Sequence, residues 1–239
     1  MDAAPEYRPM VAVDIEGSGG RGDVSLLRIR EVLAAAFREA LGESGIDAKA
    51  CLIEDLGDGL RMVAPACVPK SRLIHPFFHE LAVRLGAHNR TAAASTRIRL
   101  RVALHAGDVW LAPTRVAGGP LEVLARLLDA RPAREALATA PATVPASLLV
   151  SQHFYDETVR HGYPGIDPES FRRVEVTEKE YAAGAWLHLP GLPAAAAQPP
   201  GGESERPAGS SKMVNKASGH GVVYATQNGD LTVHDRTPR

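Results

Sequence analysis

The run Met10–Ile15 (MVAVDI) reads as a short buried strand that closes on an acid, and the residues after it narrow the folds open to this chain. Behind it stands Gly17-Ser18-Gly19-Gly20, a turn that suits neither a helix nor a strand interior. Leu26, Ile29, Val32, Leu33, Phe37 and Leu41 then fall at helical spacing, which predicts an amphipathic helix over Asp23–Glu43. Ala50–Ile53 and Leu60–Val63 come next as two short strands around Asp55-Leu56-Gly57-Asp58-Gly59, whose glycines mark a hairpin tip. A strand, a crossing helix and then a hairpin place crossover and antiparallel connections in one sheet. The sheet is therefore mixed rather than purely parallel.

The remaining pattern continues in the same way. Helices are expected over Leu73–Leu85, Pro120–Leu128 and Gln152–Arg160, and strands over Arg97–His105, Ser147–Val150, Arg173–Val176 and Ala185–Leu189. Arg97–His105 (RIRLRVALH) opens with alternating basic and apolar residues, the mark of a strand with one wet face. The fold class is α+β, a central mixed sheet flanked by helices. One domain covers residues 8–190. Residues 191–212, rich in Ala, Pro, Gly and Ser, read as a flexible linker. Residues 213–239 form a short β-prone tail with a hairpin signal at Asn228-Gly229, so the C-terminal extension is expected to be disordered or to pair with another strand.

Charge and composition exclude several classes. With 27 Lys+Arg against 28 Asp+Glu the chain is close to neutral, so a nucleic-acid binder working through a broad cationic face is not expected. No segment approaches the roughly 20 apolar residues of a membrane span. Cys51 and Cys67 stand in no paired-motif spacing; they read as buried small hydrophobes in a reducing, cytoplasmic protein.

The chemistry-bearing residues are acids at strand ends. Asp14 ends the first strand and Asp58 sits at the hairpin tip between Gly57 and Gly59. If those strands are neighbours, two carboxylates with glycines clearing the approach suit Mg²⁺ shared with substrate phosphates. Gly17 and Ser18 then lie on the substrate side. Gly17-Ser18-Gly19-Gly20-Arg21-Gly22 also fits GxGxxG between a strand and a helix, so dinucleotide binding through Gly17–Gly22 stands as an alternative.

The order MVAVDIEGSG, IEDLGDGLRMVAP, LRVALHAGDVW and GGPLEVLARLLDA resembles the class III nucleotidyl (adenylate/guanylate) cyclase homology domain, over about Arg8 to Pro190. HELAVRLGAHNR, VSQHFYDETVRH and AWLHLPG are similar to its stand-alone actinobacterial branch. The resemblance implies the ferredoxin-like class III cyclase fold and two Mg²⁺ or Mn²⁺ ions on Asp14, Asp58 and the Ile15 carbonyl. It implies a transition-state role for Arg126, a base-selecting role for Glu54, where an acid slightly favours GTP, and a phosphate-binding role for Lys179. The partner position for base selection falls near Arg115. The ribose-orienting Asn of the family is replaced by Glu122, which when ionised only accepts hydrogen bonds.

The implied reaction joins the ribose 3′-oxygen of an NTP to the α-phosphorus and releases pyrophosphate, with charge stabilised electrostatically. In that family the metal acids and the Arg come from different protomers, so a homodimer is implied. Glu122 keeps a second reading open, a catalytically impaired cyclase-fold signalling or adaptor protein acting through its tail. That tail resembles, through a V-x-x-x-Q-x-G core, the amyloid-signalling motifs of bacterial effectors. A tail-mediated signalling partner and a second-messenger or antiphage role are expected on that basis.

Overall fold

The computed structural model describes residues 4–112 and 115–194. Among them β1 (Glu6–Ile15), α1 (Asp23–Glu43), β2 (Leu52–Asp55) and β3 (Gly59–Val63) form the predicted opening unit. There follow α2 (His79–Thr91), β4 (Leu100–Ala112), β5 (Arg115–Ala117), α3 (Gly119–Leu128), α4 (Arg131–Thr139) and β6 (Ala146–Ser151). The unit ends with α5 (Gln152–Glu157), β7 (Arg172–Glu178) and β8 (Tyr181–His188).

The sheet runs β2-β3-β1-β4-β6-β8-β7, with β5 paired to β4 at the side. β1 lies between two antiparallel neighbours, β3 and β4, whereas β4 and β6 are parallel and joined by a crossover through α3 and α4. It is the mixed sheet expected from the sequence.

Both faces of the sheet are covered. Val11, Val13 and Ile15 of β1 pack with α1, α2 and α5 on one side. Met10 and Ala12 pack with α3, α4 and the β8 residues Ala185 and Leu187 on the other. Alternation along one strand thus feeds two cores. Phe37 of α1 meets Phe77 edge-on at 5.0 Å, a pairing worth about 1 kcal/mol beyond its burial. Trp186 stacks on Tyr155 at 3.6 Å and donates its indole N–H to Gln152 at 3.0 Å, so its polar edge is satisfied.

Several expectations are corrected. Ala48–Ala50 is a single 3₁₀ turn rather than the start of β2, with Asp47 accepting from the Lys49 N–H. The helix expected over Leu73–Leu85 is interrupted at His75 (φ −133°, ψ 120°), directly before Pro76, which forbids a regular helix there; α2 begins at His79. α4 was not foreseen. It starts at Arg131-Pro132, a proline position that suits a helix's first turn, and buries only Ala133, Ala136 and Leu137.

The wet face assigned to Arg97–His105 is also corrected. β4 begins only at Leu100, so Arg97 and Arg99 precede it; the strand is buried along most of its length, and its Arg101 turns to Asp14. Arg99 donates to the carbonyls of Leu137 and Ala140 at the end of α4 and of Val144 in the loop before β6. Cys51 is buried as expected, but Cys67 is exposed, in the loop after β3. Most of the expected linker 191–212 and all of the tail 213–239 lie outside the described residues. Among the described residues no helix is long and apolar enough to cross a membrane.

Candidate active site

Asp14 stands one residue from the end of β1, with Gly59 of β3 as its partner on one side and Arg101 of β4 on the other. The closeness of β3 depends on glycine. A Cβ on Gly59 would lie 2.1 Å from the Val13 carbonyl oxygen, so no other residue fits there. The hairpin tip before it is set by Asp55, whose Oδ1 accepts the Gly57 N–H at 2.7 Å while Gly57 takes φ +97°. That backbone bond holds the Asp55 carboxyl below its ordinary pKa. The Asp58 carbonyl accepts the Ile15 N–H at 3.0 Å, which pins the tip to the end of β1. The strand ends that carry Asp14 and Asp58 are thereby neighbours, the condition on which their pairing depended.

Each acid is already bonded through one oxygen. Asp14 Oδ2 accepts from Arg101, whose Nε lies at 3.1 Å and whose Nη2 completes an ion pair. Asp58 Oδ2 accepts the Ser18 hydroxyl at 2.8 Å. The Asp14 carboxyl is nevertheless held above its ordinary pKa, by burial first, with the charges of Asp58 and Asp129 adding to it and Arg101 opposing. Burial, more than the neighbouring acids, is what raises it.

Among the described residues no three His, Cys, Asp or Glu side chains converge as a ready-made metal cage. The donor set of two carboxylates and a nearby Ile15 carbonyl is made of hard oxygens. It suits Mg²⁺ or Mn²⁺ that draw their remaining ligands from substrate phosphates. The residues present fit such ions.

The Gly17–Gly22 loop is wrapped around Arg21, whose guanidinium donates to the carbonyls of Glu16 (2.7 Å), Gly17 (2.7 Å) and Arg97 (2.5 Å). A phosphate cradle presents N–H groups instead. Both neighbours of β1 are antiparallel, whereas a dinucleotide fold needs a parallel one. Dinucleotide binding through this loop is therefore ruled out.

Glu54 on β2 faces Arg61 on β3 and forms an ion pair with it at 2.6 Å. Glu54 and Arg115 line the same small hollow, about 120 Å³, with Leu52, Ile53 and Val116. The structure thus brings Glu54 and Arg115 to one hollow.

α3 lies on the same face of the sheet as Asp14, its start held where Gly107 of β4 packs under Pro120. Glu122 is exposed on it and Arg126 half-buried. Neither is bonded to Asp14 or Asp58 within this chain. Lys179 is exposed at the β7–β8 turn with φ 55° and is likewise not joined to the pair.

Arg101 and Arg21 carry no role assigned from the sequence. The signal for Arg101 was present, since it is the basic residue that breaks into the apolar β4 run opposite Asp14. Arg21 was hidden in a glycine-rich loop that reads as a motif of another kind.

No protein-family model matches this sequence, and no curated protein matches it. Solved structures do. The guanylyl cyclase Cya2 is similar with a TM-score of 0.55 at 13% identity, covering 79% of this chain and 93% of that one. An adenylate/guanylate cyclase/hydrolase from Silicibacter pomeroyi gives 0.56 at 17% identity, covering 79% and 99%. A bacterial light-regulated adenylyl cyclase gives 0.51 at 9% identity, covering 76% and 89%. This chain therefore has the fold of the adenylyl and guanylyl cyclase domains.

Proposed function

We propose that the chain is a nucleotidyl cyclase that converts an NTP, GTP in preference, into a 3′,5′-cyclic nucleotide and pyrophosphate as a homodimer. The observation that carries this reading is the adjacency of Asp14 and Asp58, fixed by the glycine-only contact of Gly59 with Val13. Asp14, Asp58 and the Ile15 carbonyl would hold two Mg²⁺ or Mn²⁺ ions, which supply charge to the triphosphate and acidity to the 3′-hydroxyl.

The chain's own groups do the rest. Ser18 orients Asp58. Arg101, already beside Asp14, is the cation placed to meet phosphate oxygens as negative charge accumulates. The ribose 3′-oxygen bonds to the α-phosphorus, its proton leaves to solvent, and the bond to pyrophosphate breaks. Arg126 of a second copy stabilises the transferring group and Lys179 the departing phosphates. Arg126 having no bond to the acid pair of its own chain supports a shared site. Glu122 accepts from a sugar hydroxyl where the family's Asn would donate.

Glu54 accepts from the guanine N1–H and amine, and Arg115, in the same hollow, donates to its O6 and N7 edge. Arg61 holds the Glu54 carboxylate in place. The full chain incubated with each of the four NTPs and Mn²⁺ should yield cyclic GMP fastest. No cyclic product from any of them sinks the proposal.

Glu122 favours one second reading, a cyclase-fold signalling protein with impaired turnover. It would bind NTP in the same assay without converting it.

A further inference from the structure

Away from the acid pair, α2, the segment before it and the loop 163–171 enclose a cavity of about 530 Å³, a size that suits a small organic ligand. Its apolar walls include Ile74, Phe78, Ala82, Ile166 and Phe171, all buried. His188 lies among them, stacked on Phe171 at 4.9 Å and edge-on to Phe78 at 6.0 Å. Burial lowers its pKa, and its Nδ1 donates to the Ser170 carbonyl at 3.1 Å, so the ring is a neutral, flat wall rather than a cation.

The charge at this cavity comes from elsewhere. Gly86, Arg90 and Thr143 line both the cavity and an adjoining hollow of about 310 Å³ that also contains Arg97. Arg90 has no hydrogen bond or ion pair with another described residue. Arg97 spends only its Nε, on the Ala92 carbonyl at 3.4 Å. Among the described residues the single acid lining the two spaces is Asp167, whose Oδ1 accepts the Glu169 N–H at 3.0 Å and closes its own turn. An aromatic chamber therefore opens onto two arginines without acidic partners among the described residues.

We propose that this cavity binds an aromatic monoanion, its ring system packed among Phe78, Phe171 and His188 and its carboxylate or sulfonate held by Arg90 and Arg97. The ring contributes apolar burial and stacking, and the arginine fork pairs with a planar carboxylate. The proposal does not depend on turnover at Asp14 and Asp58.

The test uses the full chain without nucleotide and 1-anilinonaphthalene-8-sulfonate as a fluorescent probe, displaced by 1-naphthoate or by the uncharged 1-naphthalenemethanol. Saturable probe binding is expected, with naphthoate displacing it at least tenfold more effectively than the alcohol. Arg90→Glu should weaken naphthoate at least tenfold. Gly86→Phe should do the same by filling the junction of the two spaces, since a side chain begun at Gly86 meets nothing within 4 Å. Circular dichroism and the melting temperature show whether each variant is folded. Absence of saturable binding, equal potency of acid and alcohol, or unchanged affinity in both folded variants would overturn the proposal.

Discussion

Asp14 and Arg101 face each other across the β1–β4 ladder and form an ion pair with both side chains largely shielded, 15% and 18% exposed. The pair couples fold to site. Without Arg101, Asp14 would stand in a poorly solvated position with Asp58 and Asp129 as its nearest charges, the combination that already holds its carboxyl above the ordinary range.

Arg101→Gln should therefore act twice. Unfolding in urea should show a loss of about 1–3 kcal/mol, because removing one partner of a shielded pair leaves the other uncompensated. NTP turnover should show a KM raised about tenfold, one lost phosphate contact. A variant with wild-type KM would remove Arg101 from the phosphate site and leave it a purely structural residue. Asp14→Ala and Asp58→Ala should each bring turnover below about one hundredth of wild type. Survival of either refutes the paired assignment.

Two glycines make a controlled contrast. Gly59→Ala places a methyl 2.1 Å from the Val13 carbonyl oxygen, so β3 must move away from β1 and carry Asp58 with it. A loss of about 2–4 kcal/mol, with activity falling at least tenfold, is expected. Gly86→Ala meets open space inside α2 and should instead raise stability by up to about 1 kcal/mol. Denaturant midpoints of the two variants check both signs.

Much of this arrangement was legible in the residues, for identifiable reasons. The period of Leu26 to Leu41 and the glycine-tipped hairpin are local signals, and α1, β2 and β3 formed within a few residues of where they were expected. The adjacency of Asp14 and Asp58 was expected only if their strands were neighbours, and the antiparallel pairing of β1 with β3 supplies that condition. α4 escaped because its buried face consists of two alanines and one leucine, too little apolar contrast to show a period. The break at His75 is the work of Pro76, whose effect is masked in the sequence by the apolar residues around it. Arg99, just before β4, and Arg101, its second residue, misled for a different reason. Alternation records which face a side chain takes, but a long basic side chain can satisfy that face by reaching helix carbonyls or a carboxylate, as Arg99 and Arg101 do.

Base choice depends on Glu54 and Arg115 sharing one hollow, with Arg61 behind the acid. Glu54→Gln removes one acceptor and should lower kcat/KM for GTP by about one hundredfold while changing ATP little, since a site built to hydrogen-bond one edge loses most when that partner goes. Arg61→Ala should lower GTP use less, about tenfold, because it frees the Glu54 carboxylate without deleting it. Equal losses for GTP and ATP in both variants would show that the hollow does not read the base.

His105 provides a pH test far from the acid pair. It is 8% exposed, its Nδ1 lies 2.8 Å from the Ser151 hydroxyl, and that hydroxyl oxygen also accepts the Phe154 N–H at 3.0 Å as the cap of α5. The Ser151 hydroxyl thus bridges the Phe154 N–H and the His105 ring in a site closed to solvent. Burial, and next the neighbouring His153, lower its pKa to about 4, with Glu157 opposing. In the unfolded chain the ring titrates near 6.5. Above that pH neither state binds the proton and the full contribution of neutral His105 is present. As pH falls from about 6.5 towards about 4, the unfolded chain takes up a proton that the folded chain refuses, and stability drains away by on the order of 3 kcal/mol. Urea titrations of wild type and His105→Asn, which keeps a hydrogen-bonding group for Ser151 but does not titrate, should show wild type losing its advantage across that window. A stability difference between them that stays constant from pH 8 to pH 4 would mean that His105 accepts its proton in the folded protein as readily as in the unfolded one.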